Sequence, residues 1–235
     1  MGSHDRAAPP SFDVPAGARC ELCGEILDGY ILRDARGRFL CGRHEAKLRH
    51  CRYCTAAFAP EAYGAGADRC GRCVSRAVND EAEASGRFAR VLQWFERNGL
   101  PLPRPHPPVS LRDRMPIAAD GMPMLGFADK SKRGEIVLQR GLSPELFLTV
   151  AVHEIGHLWL LGARAKLPEM LEEGVCNWLA WSFARELGTS DGAWQAQRIE
   201  MRDDPLYGAG FRRVLAAARD LKPRDLPALL TRLQR

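Results

Sequence analysis

The sequence lacks any stretch that reaches the roughly 18 uninterrupted apolar residues of a membrane span, so no membrane segment is expected. Its start lacks a basic region followed by an apolar one, which argues against a secretory signal. Lysine is scarce, and the net charge of +5 comes mainly from scattered arginines. No basic stretch is interleaved with aromatic residues, so we expect no nucleic-acid partner. Without an export signal, the expected compartment is the cytoplasm.

What the sequence does have is an ordinary globular composition, with 46% apolar and 27% charged residues among 235. Residues 1–16 are polar and irregular, and they predict a disordered tail whose first residues are compatible with a vector remnant. A cysteine-rich part follows over residues 17–78. The helix-rich remainder, residues 79–235, is long enough to bury a core of its own.

Seven of the 8 cysteines lie between positions 20 and 73. With one histidine they form four pairs, each separated by two residues: Cys20 and Cys23, Cys41 and His44, Cys51 and Cys54, Cys70 and Cys73. Each gap lets a tight knuckle present both side chains to one ion, so consecutive pairing predicts two closed, structural zinc sites. His50 is the alternative to His44. The apolar runs in between are short, so the metals should supply most of the stability, leaving the surface for a protein partner.

The most informative stretch is His153-Glu154-Ile155-Gly156-His157. Two histidines four apart on a helix share one face, so both imidazoles can reach one metal ion, and Glu154 can act as general base on a water. Ser143 and the following proline predict the start of this helix, with serine as cap, and Gly162 predicts its end. The helix is apolar almost all round and therefore buried, and buried histidines are costly unless they bind a partner or a metal.

A catalytic zinc needs a third protein ligand, and a carboxylate from a neighbouring helix is the expected type. The next helix is predicted from about Pro168 to Leu187, with two adjacent glutamates near its start. We favour Glu173, because Gly174 lets the helices approach closely and Asn177, one turn on, can hydrogen-bond an imidazole. Glu172 stays as the alternative ligand, or as a further group that orients one.

Two other residues near this site have competing interpretations. Tyr207 lies in a predicted glycine-flanked turn and can either donate its hydroxyl to the oxyanion of a peptide carbonyl or simply pack. Cys176 is interpreted as a small buried apolar residue, since no further histidine remains to activate it. Two C-terminal helices are predicted, from Phe211 to about Asp220 and from Leu226 to Leu233.

The predicted fold class is α+β. A helical pattern covers residues 74–95, with Gly86 as a candidate break between two helices. Short apolar runs at Val109–Leu111, Met124–Phe127 and Glu135–Gln139 predict a small, largely antiparallel sheet beside the histidine helix. We take Glu135–Gln139 as an edge strand that could bind an extended peptide.

The combined motifs resemble a known family. His153-Glu154-x-x-His157 followed by Glu173-Gly174 is similar to the gluzincin metallopeptidases. With the upstream cysteine pairs and the later Tyr207-Gly208-Ala209-Gly210-Phe211, the chain resembles the plant DA-one family, ubiquitin-activated peptidases with a LIM or LIM-like zinc module before the peptidase. The resemblance implies that His153, His157 and Glu173 bind catalytic zinc, that Glu154 is the general base, and that protein substrates are cleaved internally. It does not extend to ubiquitin-interacting helices, so activation by ubiquitin is not expected.

Together these observations predict a zincin-like metallopeptidase domain behind a LIM-like module with two zinc ions. The chain should hold three zinc ions, one catalytic and two structural. The expected partners are a protein or peptide substrate and a protein that binds the zinc module. The alternative is a non-catalytic interaction protein in which all three metals are structural, and the presence of Glu154 argues against it because a structural site needs no general base.

Overall fold

The computed structural model describes residues 13–60, 68–102, 104–118, 121, 123–129 and 134–234. The chain divides into two compact units, and the boundary lies between Cys70 and Gly71. Most of the tail expected over residues 1–16 falls outside the described residues.

The first unit contains two short antiparallel hairpins. Strand β1 (Ile31–Arg33) pairs with β2 (Phe39–Cys41), and β3 (Arg49–His50) pairs with β4 (Ala57–Phe58). A short 3-10 helix, Gly42–Lys47, follows β2 directly. The dipeptides Asp28-Gly29 and Arg36-Gly37 are typical of turns between short strands, and Arg36-Gly37 lies in the turn of the β1–β2 hairpin.

The first unit has only a small apolar core. One cluster has Cys20, Leu40, Cys41 and Ala57 fully buried, with Leu22, Leu27, Leu32 and Leu48 partly buried around them, and Tyr53, Ala56 and Phe58 are buried as well. Two of the four central residues are cysteines that belong to the predicted first zinc site. Such a core buries too little apolar surface to stabilise a fold alone, so other interactions must contribute.

One such interaction involves a buried carboxylate to which no sequence pattern points. Asp34, in the β1–β2 turn, accepts hydrogen bonds from the backbone N–H groups of Arg36 and Arg38 and from the N–H of Ala57 in β4. The Arg38 guanidinium pairs with the same carboxylate and also donates to the Ala57 carbonyl. Burial alone would raise the pKa of Asp34, but these donors hold it below its ordinary value. Asp34 and Arg38 therefore link the β1–β2 hairpin to the β3–β4 hairpin through hydrogen bonds with Ala57.

The second unit combines seven α-helices and three strands within the described residues, which confirms the predicted α+β class. In chain order its elements are α1 (Gly71–Ser75), α2 (Glu81–Arg97), β5 (Val109–Arg112), β6 (Gly126–Asp129), β7 (Glu135–Gln139), α3 (Pro144–Gly162), α4 (Glu169–Glu186), α5 (Ser190–Glu200), α6 (Tyr207–Ala217) and α7 (Leu226–Leu233). None of the helices in the described ranges has both the length and the apolar content to cross a bilayer.

The sheet corrects two predictions. Its strand order is β5-β7-β6, with β5 parallel and β6 antiparallel to β7, so it is mixed rather than largely antiparallel. Glu135–Gln139 forms β7, the central strand, and is therefore not the edge strand that we expected. Ile136, Val137 and Leu138 are all fully buried, which is the consecutive apolar pattern of a strand covered on both faces.

The helices also differ from prediction in places. Helix α2 runs through Gly86 without a break, because one exposed glycine costs only about 1 kcal/mol in a helix. Ser143 occupies the cap position of α3, but its side chain makes no capping hydrogen bond. Helix α5 was not predicted, although Thr189 caps it by accepting from the Gly192 N–H. Tyr207 begins α6 and does not lie in a turn.

Helix α3 is the central element of the second unit. It contacts β6 and β7 on the sheet and α2, α4 and α5 among the helices. This burial follows from its composition, since apolar residues surround nearly the whole helix. The histidines and the glutamate of the sequence motif are thereby placed in the interior, next to α4.

Candidate metal centre

Three groups of side chains have ligand atoms close enough to hold a metal ion. Within each group, the nitrogen, sulfur or oxygen atoms lie within 4.8 Å of one another. The groups are Cys20, Cys23, Cys41 and His44; Cys51, Cys54, Cys70 and Cys73; and His153, His157 and Glu173. These are the three ligand sets that the sequence nominated.

The first cysteine group has several features that suit a metal. The Sγ atoms of Cys23 and Cys41 lie 3.8 Å apart, and Nε2 of His44 is buried without a hydrogen-bond partner. Burial opposes ionisation of Cys20, but backbone N–H groups around it lower the pKa of its thiol to about 6. A thiol that ionises readily and an imidazole nitrogen that has no hydrogen-bond partner both suit a bound cation. His50, the alternative ligand, instead directs Nδ1 toward the carbonyl of Thr55.

The second cysteine group is more enclosed. All four of its cysteines are buried, and the Sγ atoms of Cys54 and Cys70 lie 3.6 Å apart. In the first group, by contrast, Cys23 is exposed. Reagents that attack thiols can therefore reach the first group more easily than the second.

The third group joins α3 to α4. Nε2 of His153 lies 3.2 Å from Nε2 of His157 and 3.1 Å from Oε2 of Glu173. Oε1 of Glu173 lies 3.5 Å from Nε2 of His157. The helical spacing of the two histidines and the position of Glu173 opposite them thus bring three ligand atoms to one point.

The other nitrogen of each imidazole is held by an acceptor. Nδ1 of His153 lies 3.1 Å from Oδ1 of Asn177, and Nδ1 of His157 lies 2.8 Å from Oε1 of Glu172. An amide oxygen and a carboxylate both accept, so each Nδ1 carries the proton and each Nε2 presents its lone pair. Glu172 and Asn177 therefore orient the two imidazoles. For Asn177 this is the predicted contact, and for Glu172 it corresponds to one of the two roles that the sequence left open.

This arrangement fits a cation. Two Nε2 lone pairs and a carboxylate that face one another repel unless a positive charge lies between them. Oε2 of Glu173 is buried and, although close to His153, accepts no hydrogen bond of suitable geometry. An orphaned buried carboxylate oxygen of this kind is costly without a positive partner. The donor set therefore supports a metal at this point.

The acid–base properties of the group follow from the same geometry. Burial lowers the pKa of His153, but the nearby Glu173 and Glu154 outweigh it and raise that pKa above its ordinary value. Burial and the neighbouring His153 both lower the pKa of His157. Without a metal, His153 therefore binds a proton more readily than an ordinary imidazole does. A metal that binds must displace it, so binding weakens as the pH falls.

Glu154 is buried, with 8% of its surface exposed, and lies under the edge strand β6. A Cβ at Gly126, the first residue of β6, would lie 3.3 Å from Cγ of Glu154 and closer still to Val150 and Leu138. Only glycine therefore lets the strand pass this close to the histidine helix. The sequence motif identified Glu154, but it gave no indication of Gly126.

Tyr207 lies beside the site. Its ring centroid is 6.5 Å from that of His153, and its backbone N–H donates to Oδ1 of Asp204. The guanidinium of Arg202 stacks on the ring, with Cζ 4.1 Å from the centroid, and its Nε donates to Oδ2 of Asp204. Sequence reasoning missed both Arg202 and Asp204. The Asp-Asp-Pro break before α6 was the available signal, since aspartate commonly caps helices.

Glycines set the spacing of the helices around the site. Gly156 of α3 faces Cys176 of α4, where a Cβ would meet its Sγ at 3.1 Å. Gly174 instead faces Gly210 of α6, where an added Cβ would collide with the backbone. The close approach that we expected from Gly174 is therefore between α4 and α6. Gly156 allows the close approach of α3 and α4, and Cys176 packs against it.

No protein-family model, curated protein or solved structure matches the chain. What the site can do must therefore be argued from its own residues.

Proposed function

We propose that the protein is a zinc-dependent peptidase with the third group as its catalytic centre. The observation that carries this proposal is the convergence of His153 Nε2, His157 Nε2 and Glu173, with both Nδ1 atoms already bound and Glu154 next in sequence to a ligand. Three protein ligands leave a fourth tetrahedral position open, which distinguishes a catalytic site from the two groups that offer four ligands each.

Zinc fits all three groups by its chemistry. Thiolate sulfur, imidazole nitrogen and carboxylate oxygen are the ligands that zinc binds in proteins, and the two cysteine groups offer four ligands each, as structural sites do. At the third group, bound zinc would lower the pKa of a water and polarise a carbonyl. The proposed content is three zinc ions per chain.

The roles of the surrounding residues follow from their positions. Glu154 would accept the proton of the attacking water and return it to the leaving amine. Tyr207, beside His153, could donate its hydroxyl to the oxyanion that develops on the substrate carbonyl. Glu172 and Asn177 would keep the imidazoles in the orientation that presents Nε2.

The sheet suggests how a peptide would lie. In the strand order β5-β7-β6, strand β6 lies at one edge of the sheet, where a peptide could be added as a further strand. Because Gly126 of β6 lies against Glu154, a peptide added there would pass the general base. This assigns to β6 the peptide-binding role that we first expected of β7.

The first unit would serve as a zinc-stabilised module that binds a protein partner or the substrate. A LIM-like module before a gluzincin-like domain is the arrangement that the resemblance to the DA-one family implies. A non-catalytic interaction protein is the second candidate. The observation in its favour is that eight of the eleven proposed ligands belong to closed sites.

Glu154→Ala tests the proposal. The wild type should cleave an unfolded, fluorescently labelled protein, and the variant should be at least about 100-fold slower because it lacks the general base. Zinc content and circular dichroism should remain as in the wild type. Glu169→Ala, an exposed glutamate of α4, is the matched control and should cleave normally.

The results separate the two candidates. Equal cleavage by wild type and Glu154→Ala would show that the activity is not that of the proposed site. Three zinc ions with no cleavage of unfolded proteins by the wild type would favour the non-catalytic protein. Two zinc ions would show that the third group does not bind this metal.

A further inference from the structure

Arg202 is held in place more firmly than an exposed arginine normally is. Its guanidinium lies over the Tyr207 ring, and its Nε donates to Oδ2 of Asp204 at 2.9 Å. Its backbone carbonyl accepts a hydrogen bond from Nη1 of Arg212 at 2.6 Å. The same carbonyl lies against Gly208, where a Cβ would collide with it. The side chain is nevertheless 42% exposed. A charged group is thus fixed in position while it stays open to solvent.

The positive charge of Arg202 is only partly offset by Asp204. Oδ1 of that carboxylate accepts from the backbone N–H groups of Leu206 and Tyr207 at the start of α6. The partial positive charge of a helix N-terminus engages part of the negative charge of the aspartate. The hydrogen bond to Asp204 engages the Nε–H of Arg202, whereas a guanidinium carries five N–H donors.

Arg202 also lies within reach of a bound peptide. The Tyr207 ring lies beside both groups. Its centroid is 6.5 Å from that of the His153 ring and 4.1 Å from Cζ of Arg202. An extended peptide spans about 3.3 Å per residue, so about three residues cover the path from the histidine to the guanidinium. A side chain one to three residues from the scissile bond could therefore contact Arg202.

We propose that Arg202 is a specificity-determining residue that binds a carboxylate of the substrate one to three residues from the cleaved bond. Guanidinium and carboxylate pair through two parallel hydrogen bonds, and an arginine already fixed in position loses little freedom when it forms them. The carboxylate can come from an acidic side chain or from the C-terminus of a peptide. This inference rests on the proposed peptidase function, but it can be tested without turnover.

The test uses end-blocked fluorescent peptides of ten residues with a central Leu-Ala bond. One Glu or one Gln is moved through the three positions on each side. A further pair of peptides is shortened to end three residues after the Leu-Ala bond and has a free or an amidated C-terminus. Binding to the Glu154→Ala protein is measured by fluorescence anisotropy, and cleavage by the wild type is measured as kcat/KM. At one position, Glu should be preferred over Gln by about tenfold, mainly through KM.

Variants then identify the source of the preference. Arg202→Gln should reduce the preference for the Glu peptide over the Gln peptide to a ratio of about one. Arg202→Lys should keep part of this preference because the charge remains. Arg185→Gln is the matched control, because that guanidinium stacks on Trp181, with Cζ 4.7 Å from the ring centroid, as Arg202 does on Tyr207. It should keep the full ratio.

The outcomes of the binding test are distinct. A tenfold preference at the C-terminal pair alone would identify the terminal carboxylate as the ligand. Equal affinity for Glu and Gln peptides at every position would overturn the inference, even if cleavage proves the peptidase. An equal loss of affinity for the Glu and Gln peptides in Arg202→Gln would overturn the inference as well, since Arg202 would then only support Tyr207. Selective binding without cleavage would contradict the proposed function and leave Arg202 as a carboxylate-binding residue.

Discussion

At the scale of single residues, the orientation of the two imidazoles is set by different kinds of acceptor. Asn177 offers His153 a neutral amide oxygen, whereas Glu172 offers His157 a carboxylate at 2.8 Å. The charged acceptor makes the stronger hydrogen bond and raises the basicity of the imidazole that it holds. Glu172 should therefore contribute to metal affinity without touching the metal.

We expect Glu172→Ala to weaken zinc binding at the third group by about 10- to 100-fold, the usual effect of removing such a partner. Competition with a chelating zinc indicator at fixed pH measures this affinity. Glu169→Ala removes an exposed glutamate from the same helix and controls for the lost negative charge.

If both variants bind zinc with equal affinity, the hydrogen bond from His157 to Glu172 has no role in metal binding. Weakening in Glu172→Ala alone supports it. The two cysteine groups should retain their zinc in both variants.

The residues that the sequence could identify are those with a fixed spacing. His153 and His157 lie four apart on a helix, and each cysteine knuckle leaves two residues between its ligands, so covalent geometry alone brings them together. Asp34 and Gly126 have no such pattern. Their partners, Ala57 and Glu154, lie far along the chain, so only the folded structure reveals why an aspartate and a glycine stand there.

At the scale of elements, the contact of α4 with α6 brings Glu173 and Tyr207 to the same site. Gly174 and Gly210 let the two backbones touch, and a Cβ on either residue would collide with the opposite helix. Helix α4 carries Glu173, the proposed carboxylate ligand, and α6 begins with Tyr207. A small separation of these helices would therefore reach both groups.

Gly210→Ala should destabilise the second unit by about 1–3 kcal/mol through overpacking, despite the higher helix propensity of alanine. Urea unfolding followed by tryptophan fluorescence measures the change. Gly86→Ala in α2 is the matched control, since a Cβ there meets nothing within 4 Å.

The control should be more stable than the wild type by up to about 1 kcal/mol. The two substitutions are thus expected to have opposite signs in the same fold. A stabilising effect of Gly210→Ala would mean that α4 and α6 are not in close contact in solution.

The sequence predicted helices and strands correctly where local signals were strong. It failed where the pairing of strands decides the arrangement. Helices α3 and α4 followed from long apolar stretches with proline at their starts. The position of β7 at the centre of the sheet depends on its neighbours, although its three consecutive apolar residues were a signal that we did not use. Helix α5 was missed because it has few apolar residues and a glycine in its first turn.

At the scale of the whole molecule, the two units differ in how they are stabilised. The first buries few large apolar side chains, Tyr53 and Phe58 among them, whereas the second buries many, with Trp94 of α2 packed edge-on against Phe183 of α4. The first should therefore depend on its metals, and the second should remain folded without them.

Removal of zinc with a strong chelator should unfold the first unit and leave the helices of the second. All 5 tryptophans of the chain lie after residue 70, so their fluorescence reports on the second unit alone and should change little. Hydrogen exchange should accelerate in β1 and β2 but not in α2. Added zinc should reverse the effect, and loss of protection in both units together would contradict the prediction.

The hydrogen bonds of Asp34 have a consequence for how the first unit acquires metal. Asp34 lies between Cys23 and Cys41 in the sequence, and Ala57, to which it binds, lies between Cys54 and Cys70. Ordering one cysteine loop therefore helps to order the other. Each zinc would raise the affinity for its neighbour by the same factor, since such coupling is reciprocal. At limiting zinc, the population would consist mainly of empty and doubly loaded modules, with few chains that hold a single structural ion.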